Sequence, residues 1–502
     1  MPSERRLHPL SFLFEVGGQL QQLIVPALVV LVGAGSAGLD WQAWLVLLVI
    51  PYAAISLVRC LSFRYRFDAS ELVITKGFIF RSERHVPYGR IQNIDAVQNV
   101  VHRLLRVVDV RVETGGGEEP EVRMRVLPVQ ALDEMRERVF AGRPGGTATV
   151  EDPSVMAAPV RHTLLKLHPR ELLLAGFIDS RGLVIVGAAF GLLWEAGLFD
   201  PTLDMIFGES ASERGVVRMS IRGLIGGGIP SPASMALMAG ALAAVLLFIR
   251  VLSMIWSLVR LYGFRLDRTG DDLRTEFGLF TRVMATIPLH RIQTLTIREA
   301  PLHRFFEKAS VRVDSAGSEG GEGAVKRESL APIVSSSALP QLLRDVLPDV
   351  DMSRMAWQPV DPRGFRRALR VSLIMAAFFT TPFVVMLKWW TLALFTALSA
   401  WAVIHAHLYV KHLGWALVDQ AVLFRSGYLW RRLTIARYTK IQAVTLSESP
   451  FDRRARMARV RVDTAGASDA SHRVDIPYLG RETAGRLHHL LAGQAARTTF
   501  KW

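Results

Sequence analysis

One block of sequence occurs three times in this 502-residue chain, and it constrains the fold more than any other feature. The copies read GRIQNIDAVQNVVHRLLRVVDVRVETGG, HRIQTLTIREAPLHRFFEKASVRVDSAG and TKIQAVTLSESPFDRRARMARVRVDTAG, and they align without a gap. Ile91-Gln92, Ile292-Gln293 and Ile441-Gln442 stand near their starts. Arg103, Arg304 and Arg453 follow the Ile by twelve residues, and Gly77, Gly278 and Gly427 precede it by fourteen. A match of that length means one domain type used three times. The function then belongs to a domain and its arrangement, not to a single active-site motif.

Hydrophobic residues make up 50% of the chain and are concentrated in long runs. These are Leu23 to Val32, Trp41 to Leu61, Leu183 to Leu198, Met235 to Val259, Val371 to Leu387 and Trp389 to Val410. A bilayer core needs about 20 apolar helical residues, a length these runs meet alone or with flanking small residues. About six transmembrane helices are expected. No cleavable signal peptide is expected, because Arg5, Arg6, Glu15 and a cluster of Gln occupy the first stretch. The single cysteine, Cys60, excludes a disulfide within the chain.

The runs come in pairs, and a pair precedes each repeated block. His8-Pro9, His168-Pro169 and Asp361-Pro362 open the three units, each followed by a stretch read as a short amphipathic helix at the membrane surface. Hairpins return the chain to the side it left, so all three folded domains share one side. Arg59, Arg64, Lys166, Arg170, Arg260, Arg265, Arg363, Arg366, Arg367, Arg370 and Lys411 flank the runs there. By the positive-inside rule that side, and both termini, are expected to be cytoplasmic.

Each domain reads as β. Residues 64 to 87 alternate β-branched and aromatic positions with turns at Asp68-Ala69-Ser70 and Lys76-Gly77. Further strands are predicted at Ile91 to Val97, Val107 to Glu113 and Val122 to Leu127, then a helix with Leu132, Met135 and Val139 on one face. The predicted fold class is therefore membrane α-helical hairpins plus three all-β barrel or sandwich domains, each closed by a C-terminal helix. The predicted boundaries are an interfacial helix and first hairpin (1–63), first β domain (64–141), linker (142–160), second hairpin (161–260), second β domain (261–347), linker (348–362), third hairpin (363–410) and third β domain (411–502).

Arg90-Ile91-Gln92 and Arg291-Ile292-Gln293, the downstream Arg103 and Arg304, and the V-x-V-x-[TS]-x-G strands ending at Gly116, Gly317 and Gly466 resemble one known family. These are bacterial membrane proteins with repeated pleckstrin-homology-like (PH-like) domains of type 2, formerly a domain of unknown function. The resemblance covers nearly the whole chain and extends to the type in which three transmembrane hairpins alternate with three such domains. The third unit departs from the pattern: Lys440 replaces the Arg, and Arg437 stands where Pro87 and Pro288 do. The resemblance implies an envelope-associated role, in some relatives resistance to membrane-active peptides, often beside a smaller one-domain PH-like membrane partner.

The repeated Ile residues are expected in the core, and the repeated Gly residues at turns of positive φ. Arg103, Arg304 and Arg453 are candidates for lipid phosphate, which suits a guanidinium, or for ion pairs and carbonyl bonds inside the domain. Charge is uneven. From Lys411 to Trp502 there are 16 basic and 7 acidic residues, net +9 of the chain's +15. Arg431, Arg432, Arg437, Lys440, Arg453, Arg454 and Arg456 form the densest part, a candidate surface for anionic headgroups or a protein partner. His405, His407 and His412 are spaced poorly for a metal and read as packing. Neither a nucleic-acid motif nor a catalytic one stands in the sequence, and no cofactor or metal is expected. Two readings stay open: a non-enzymatic membrane platform for a protein partner or anionic lipid, and a transporter or lipid-handling protein regulated by its domains.

Overall fold

The computed structural model describes residues 5–6, 62–77, 81–114, 122–141, 162–179, 232–315, 329–383, 389–465 and 474–497. The first predicted hairpin and the run Leu183 to Leu198, with Glu195, lie outside them. The chain divides into two compact bodies. The larger comprises residues 1–165, 265–276 and 281–502, and the smaller residues 166–264 and 277–280.

The larger body holds all three repeats. The first consists of β1 (Arg5–Arg6), β2 (Arg64–Phe67), β3 (Glu71–Lys76), β4 (Ser82–Pro87), β5 (Ile91–Gln98), helix α1 (Val100–Leu104), β6 (Val107–Thr114), β7 (Val122–Pro128) and helix α2 (Val129–Ala141). Strand β8 (His162–Lys166) leads into the smaller body, which contains α3 (Pro169–Ile178) and α4 (Pro232–Leu261). The second repeat follows with β9 (Arg265–Thr269), β10 (Asp272–Phe277), β11 (Arg282–Pro288), β12 (Ile292–Glu299), α5 (Pro301–Phe305), β13 (Lys308–Ser315), β14 (Ser329–Ser335) and α6 (Leu339–Val346). The third is entered through β15 (Gln358–Pro359), α7 (Gly364–Thr380) and α8 (Trp390–His412). It has β16 (Gly414–Val418), β17 (Ala421–Ser426), β18 (Arg431–Arg437), β19 (Ile441–Ser447), α9 (Pro450–Arg454), β20 (Met457–Thr464), β21 (Val474–Gly480) and α10 (Arg481–Arg497).

The repeated residues have repeated conformations. Gly77, Gly278 and Gly427 have φ of 96°, 114° and 82°. A Cβ on Gly427 would lie 2.0 Å from the Trp430 carbonyl oxygen, so that turn admits only glycine. Ile91, Ile292 and Ile441 are 1%, 1% and 3% exposed. Between each Ile and the second residue after it the strand register slips, so Gln92, Gln293 and Gln442 occupy a β-bulge. After the one-turn helix, Arg106, Glu307 and Arg456 adopt φ of 55°, 51° and 54°. Their carbonyls accept from Val129 N at 3.3 Å, Ser336 N at 2.9 Å and Arg481 N at 3.0 Å. This left-handed residue thus ties the one-turn helix to the segment that follows the last strand.

Of the barrel and the sandwich expected from the sequence, no barrel closes among the described residues. Each repeat is split at the 3-10 turn before its Ile, and the two halves lie in different sheets. β1 to β4 form one four-stranded sheet, and β19 to β21 form a three-stranded one. The two seven-stranded sheets cross between repeats, in the orders β7-β6-β5-β11-β10-β9-β8 and β14-β13-β12-β18-β17-β16-β15. The second half of one repeat therefore continues edge to edge into the first half of the next. Alternating apolar side chains still bury one face, and α2 and α10 cover it with Leu132, Met135, Val139, Leu487 and Leu491.

Among the described residues two helical stretches, Ala243–Leu261 and Trp390–His412, are long and apolar enough to cross a membrane, not about six. The fifth run falls short because α7 ends at Thr380 and a 3-10 turn, Thr381–Phe383, follows. The stretch RGFRRALR is not a separate surface helix: it forms the first turns of α7. In the smaller body α3 packs against α4 with little separation. Ser257 Oγ donates to the Leu172 carbonyl at 3.0 Å, and a Cβ on Gly176 would lie 2.7 Å from the Met254 Cα. Arg250, charged within an apolar run, donates to the Phe177 carbonyl at 2.7 Å and lies over the Phe177 ring.

Candidate functional site

The third repeat joins α7 directly to its sheet. Asp361 N donates to the Tyr478 carbonyl at 2.9 Å, and a Cβ on Gly364 would lie 2.7 Å from the Tyr478 Cβ. This close approach fixes the start of α7 against β21. Arg363, Arg366, Arg367 and Arg370 recur at helical spacing of three and four residues. They line an open cleft of about 580 Å³ whose other wall is Phe451, Arg454, Ala455, Arg456 and Met457. Six of these nine residues are arginine and none is acidic.

Arg367 is the anchored member. Its guanidinium lies 5.1 Å from the Phe451 ring centroid, and its Nε is 3.3 Å from Asp452 Oδ1. Asp452 also accepts from the Ser449 backbone at 3.2 Å and from its hydroxyl, closing the capping box that starts α9. Burial alone would push the Asp452 carboxyl up from its usual 3.8, but the Ser449 bonds and the Arg367 guanidinium outweigh it and hold it below. A carboxylate depressed in the fold stabilises above its unfolded pKa and loses that contribution as pH falls through the folded value. Acidifying the protein below pH of about 4 is thus expected to lower its melting temperature with a contribution from Asp452. Melting curves of Asp452→Asn should be lower at neutral pH and flatter toward acid. An unchanged slope would remove this assignment.

Among the described residues no carboxylate pairs with Arg363, Arg366, Arg370, Arg454 or Arg456. Just beyond the cleft α7 turns apolar, and Val371, Ile374, Met375, Phe378 and Phe379 are exposed. α8 packs against α7 and spans about 35 Å at 1.5 Å per residue. At the far end of that helix pair, Trp389 and Trp390 stack with centroids 4.0 Å apart. Cations at one end, an apolar outer surface and aromatic rings at the other is the order of a membrane-spanning segment.

The sequence-predicted basic surface is not one face. Arg454 and Arg456 join the cleft. Arg431 and Arg432 line a second cavity of about 330 Å³ with Glu299, Lys411, His412 and Arg425. Arg437 is largely buried between the second and third repeats. It donates to the Leu289 carbonyl at 3.3 Å and lies 3.8 Å from Asp349, and burial lowers its pKa. Lys440 is half-buried beside it, its pKa lowered by burial and then by Arg437 and Arg291. Arg103, Arg304 and Arg453 are all exposed near the ends of one-turn helices, and Arg304 donates to the Tyr428 carbonyl at 3.1 Å. In the sequence the arginines at the start of α7 stand out only as charge bias, and their helical spacing is the signal that they share a face. His405 stacks with Tyr409 and meets the Tyr428 ring edge, and no group of described residues is arranged to hold a metal ion.

The family model described as bacterial PH domain matches residues 22–142, 220–347 and 370–495. The chain belongs to the bacterial PH domain family. Each match spans one repeat together with residues before it, so in this chain the bacterial PH domain is counted three times. The chain is 23% identical over 489 residues to UPF0699 transmembrane protein YdbT of Bacillus subtilis (strain 168), covering 93% of this chain and 94% of that one. No solved structure matches it. Three bacterial PH domains, a relative named as transmembrane and two membrane-length helices fit a membrane protein.

Proposed function

We propose that this protein is a non-enzymatic, multi-pass plasma-membrane platform whose bacterial PH domains face the cytoplasm, and that the third captures an anionic phospholipid headgroup in the arginine cleft. The observation that carries this reading is the cleft itself: six arginines at the membrane-proximal end of an apolar helix pair, five of them without a carboxylate partner among the described residues. A guanidinium matches phosphate oxygens in a bidentate fork, and each basic residue near an anionic surface contributes about 1 kcal/mol. Cationic membrane-active peptides compete for the same headgroups, which supports a role in the envelope's response to them. The transporter reading has less support, since Arg250 is bonded to a backbone carbonyl and not aligned with a second charge along a path.

The test uses full-length protein in nanodiscs of mixed phosphatidylcholine and phosphatidylglycerol, extracted with mild detergent and weighed intact by native mass spectrometry. Phosphatidylglycerol retained above its share of the bilayer supports the reading. Retention in proportion to the bilayer, or displacement by inorganic phosphate without lipid preference, overturns it.

A further inference from the structure

The two crossings between repeats share one register, and that register defines an open position at the end of the series. β12 pairs with β18 through Thr294↔Ala436, Leu295↔Ile435, Thr296↔Thr434, Ile297↔Leu433, Arg298↔Arg432 and Glu299↔Arg431. β5 pairs with β11 through Ala96↔Met284, Val97↔Val283 and Gln98↔Arg282. Counted from the repeated Ile residues, the three pairs of β5 with β11 coincide with the last three of β12 with β18. In both, the strand that begins with Ile-Gln receives the strand that precedes the Ile-Gln of the next repeat.

β19 is the third strand of the receiving kind, and among the described residues no strand of the donating kind lies beside it. It is the outer strand of its sheet, paired with β20 alone among the described residues. Its counterpart β12 buries all of Ile292 to Ile297, whereas on β19 Gln442, Ala443, Thr445, Leu446 and Ser447 are exposed, Leu446 at 39%. The strand carries no charged side chain from Ile441 to Ser447. Exposed edges of sheets are ordinarily guarded by charge, proline or a covering element. His488 of α10 meets the Val444 carbonyl through Nε2 at 3.2 Å, and beside it the side chains of Gln442, Ala443, Thr445, Leu446 and Ser447 stay exposed.

The other outer strand of the series, β4, is guarded. It is the donating kind, equivalent to β11 and β18, which present Met284-Ala285-Thr286 and Leu433-Thr434-Ile435 at their centres. At those positions β4 presents Glu83, Arg84 and His85, all exposed. Seating Arg84 where Thr434 is 1% exposed opposite Thr296 would desolvate a charge. The chain's own β4 is therefore unfit for the edge that β19 offers.

We propose that β19 is a docking edge for a PH-like domain on a different chain, which adds its strand of the β11 and β18 kind antiparallel to β19. Such a strand has an uncharged centre and a basic residue at its start, which meets Glu448 as Arg431 meets Glu299 in register. This is β-augmentation by a folded domain, and the charges on β4 keep copies of this chain from polymerising through the same edge.

The test grafts the missing strand onto a second copy. In a Cys60→Ser background, which removes the single cysteine, one full-length population carries Ser447→Cys. The other carries Ser82→Cys with Glu83→Leu and Arg84→Thr, both at exposed positions. Transferred register places residue 82 opposite residue 447. A short bis-maleimide should link the two populations at least about tenfold more than when β4 keeps Glu83 and Arg84, a difference of about 1.4 kcal/mol. Leu446→Lys on the accepting copy should return linkage to background. A second donor with Glu83→Leu alone, checked by its melting curve, guards against misfolding of the pair. Equal linkage with unaltered β4 would make a second copy the occupant and overturn the proposal. Linkage within one chain when both cysteines are on it, or none with either donor, would overturn it too.

Discussion

Ile292→Asp is expected to unfold the second repeat and to damage the first half of the third. Ile292 is 1% exposed and opens β12, which pairs on one side with β13 and on the other with β18. A carboxylate placed there has no partner, and its burial costs more than about 4 kcal/mol, a large share of a domain's total stability. Because β18 belongs to the third repeat, loss of β12 strips β16 to β18 of their neighbour. Limited proteolysis should then cut in residues 265–346 and also in 414–437. Ile441→Asp offers the contrast. It is 3% exposed, but among the described residues β19 has only β20 paired beside it, so damage should stay within the third repeat. Unchanged melting of Ile292→Asp would refute the strand assignment, and cutting confined to the second repeat would refute the shared sheet.

The repeat makes the domain count and most strands legible in the sequence. Alternation of side chains tells which face of a strand is buried, and Gly427 and its counterparts marked turns of positive φ. Alternation does not tell which strand lies alongside. β4, β11 and β18 occupy the same place in their repeats, yet two of them pair with a preceding repeat and one has no neighbour on that side among the described residues. β4 carries Glu83, Arg84 and His85 where β11 and β18 carry uncharged residues, a contrast whose meaning appears only when the sheet orders are known. A barrel and a sandwich both fit seven strands and a helix, because local sequence cannot distinguish a strand that folds back on its own domain from one that crosses to the next. Likewise Arg437 looked like surface charge in a basic run, and only the tertiary fold places it beside Leu289 and Asp349. The four arginines of α7 and the pair Arg454 and Arg456 are about 90 residues apart in sequence; the bond between Asp361 and Tyr478 and the absence of a side chain at Gly364 bring them together.

Reversing two of the cleft cations should abolish selective lipid retention while leaving the fold intact. Arg366→Glu with Arg454→Glu takes one residue from each wall, and neither bonds a carboxylate among the described residues. Arg367 is left in place because it holds Asp452 and α9. Each reversal removes one favourable charge and adds an unfavourable one, so the pair should cost about 4 kcal/mol at about 1 kcal/mol per charge. Even halved by solvent screening in an open cleft, that is a loss of one to two orders of magnitude in affinity at about tenfold per 1.4 kcal/mol. The retained phosphatidylglycerol of the wild type should also fall as salt rises, since a charge pair exposed to solvent is screened over about 10 Å at 0.1 M. Arg431→Glu with Arg432→Glu, which changes the same charge in the second cavity, should leave retention at the wild-type level. If the α7 and α9 pair retains anionic lipid with an unshifted melting temperature, the cleft is not the headgroup site. If both pairs weaken retention equally, net charge alone attracts the lipid and the geometry of the six arginines adds nothing.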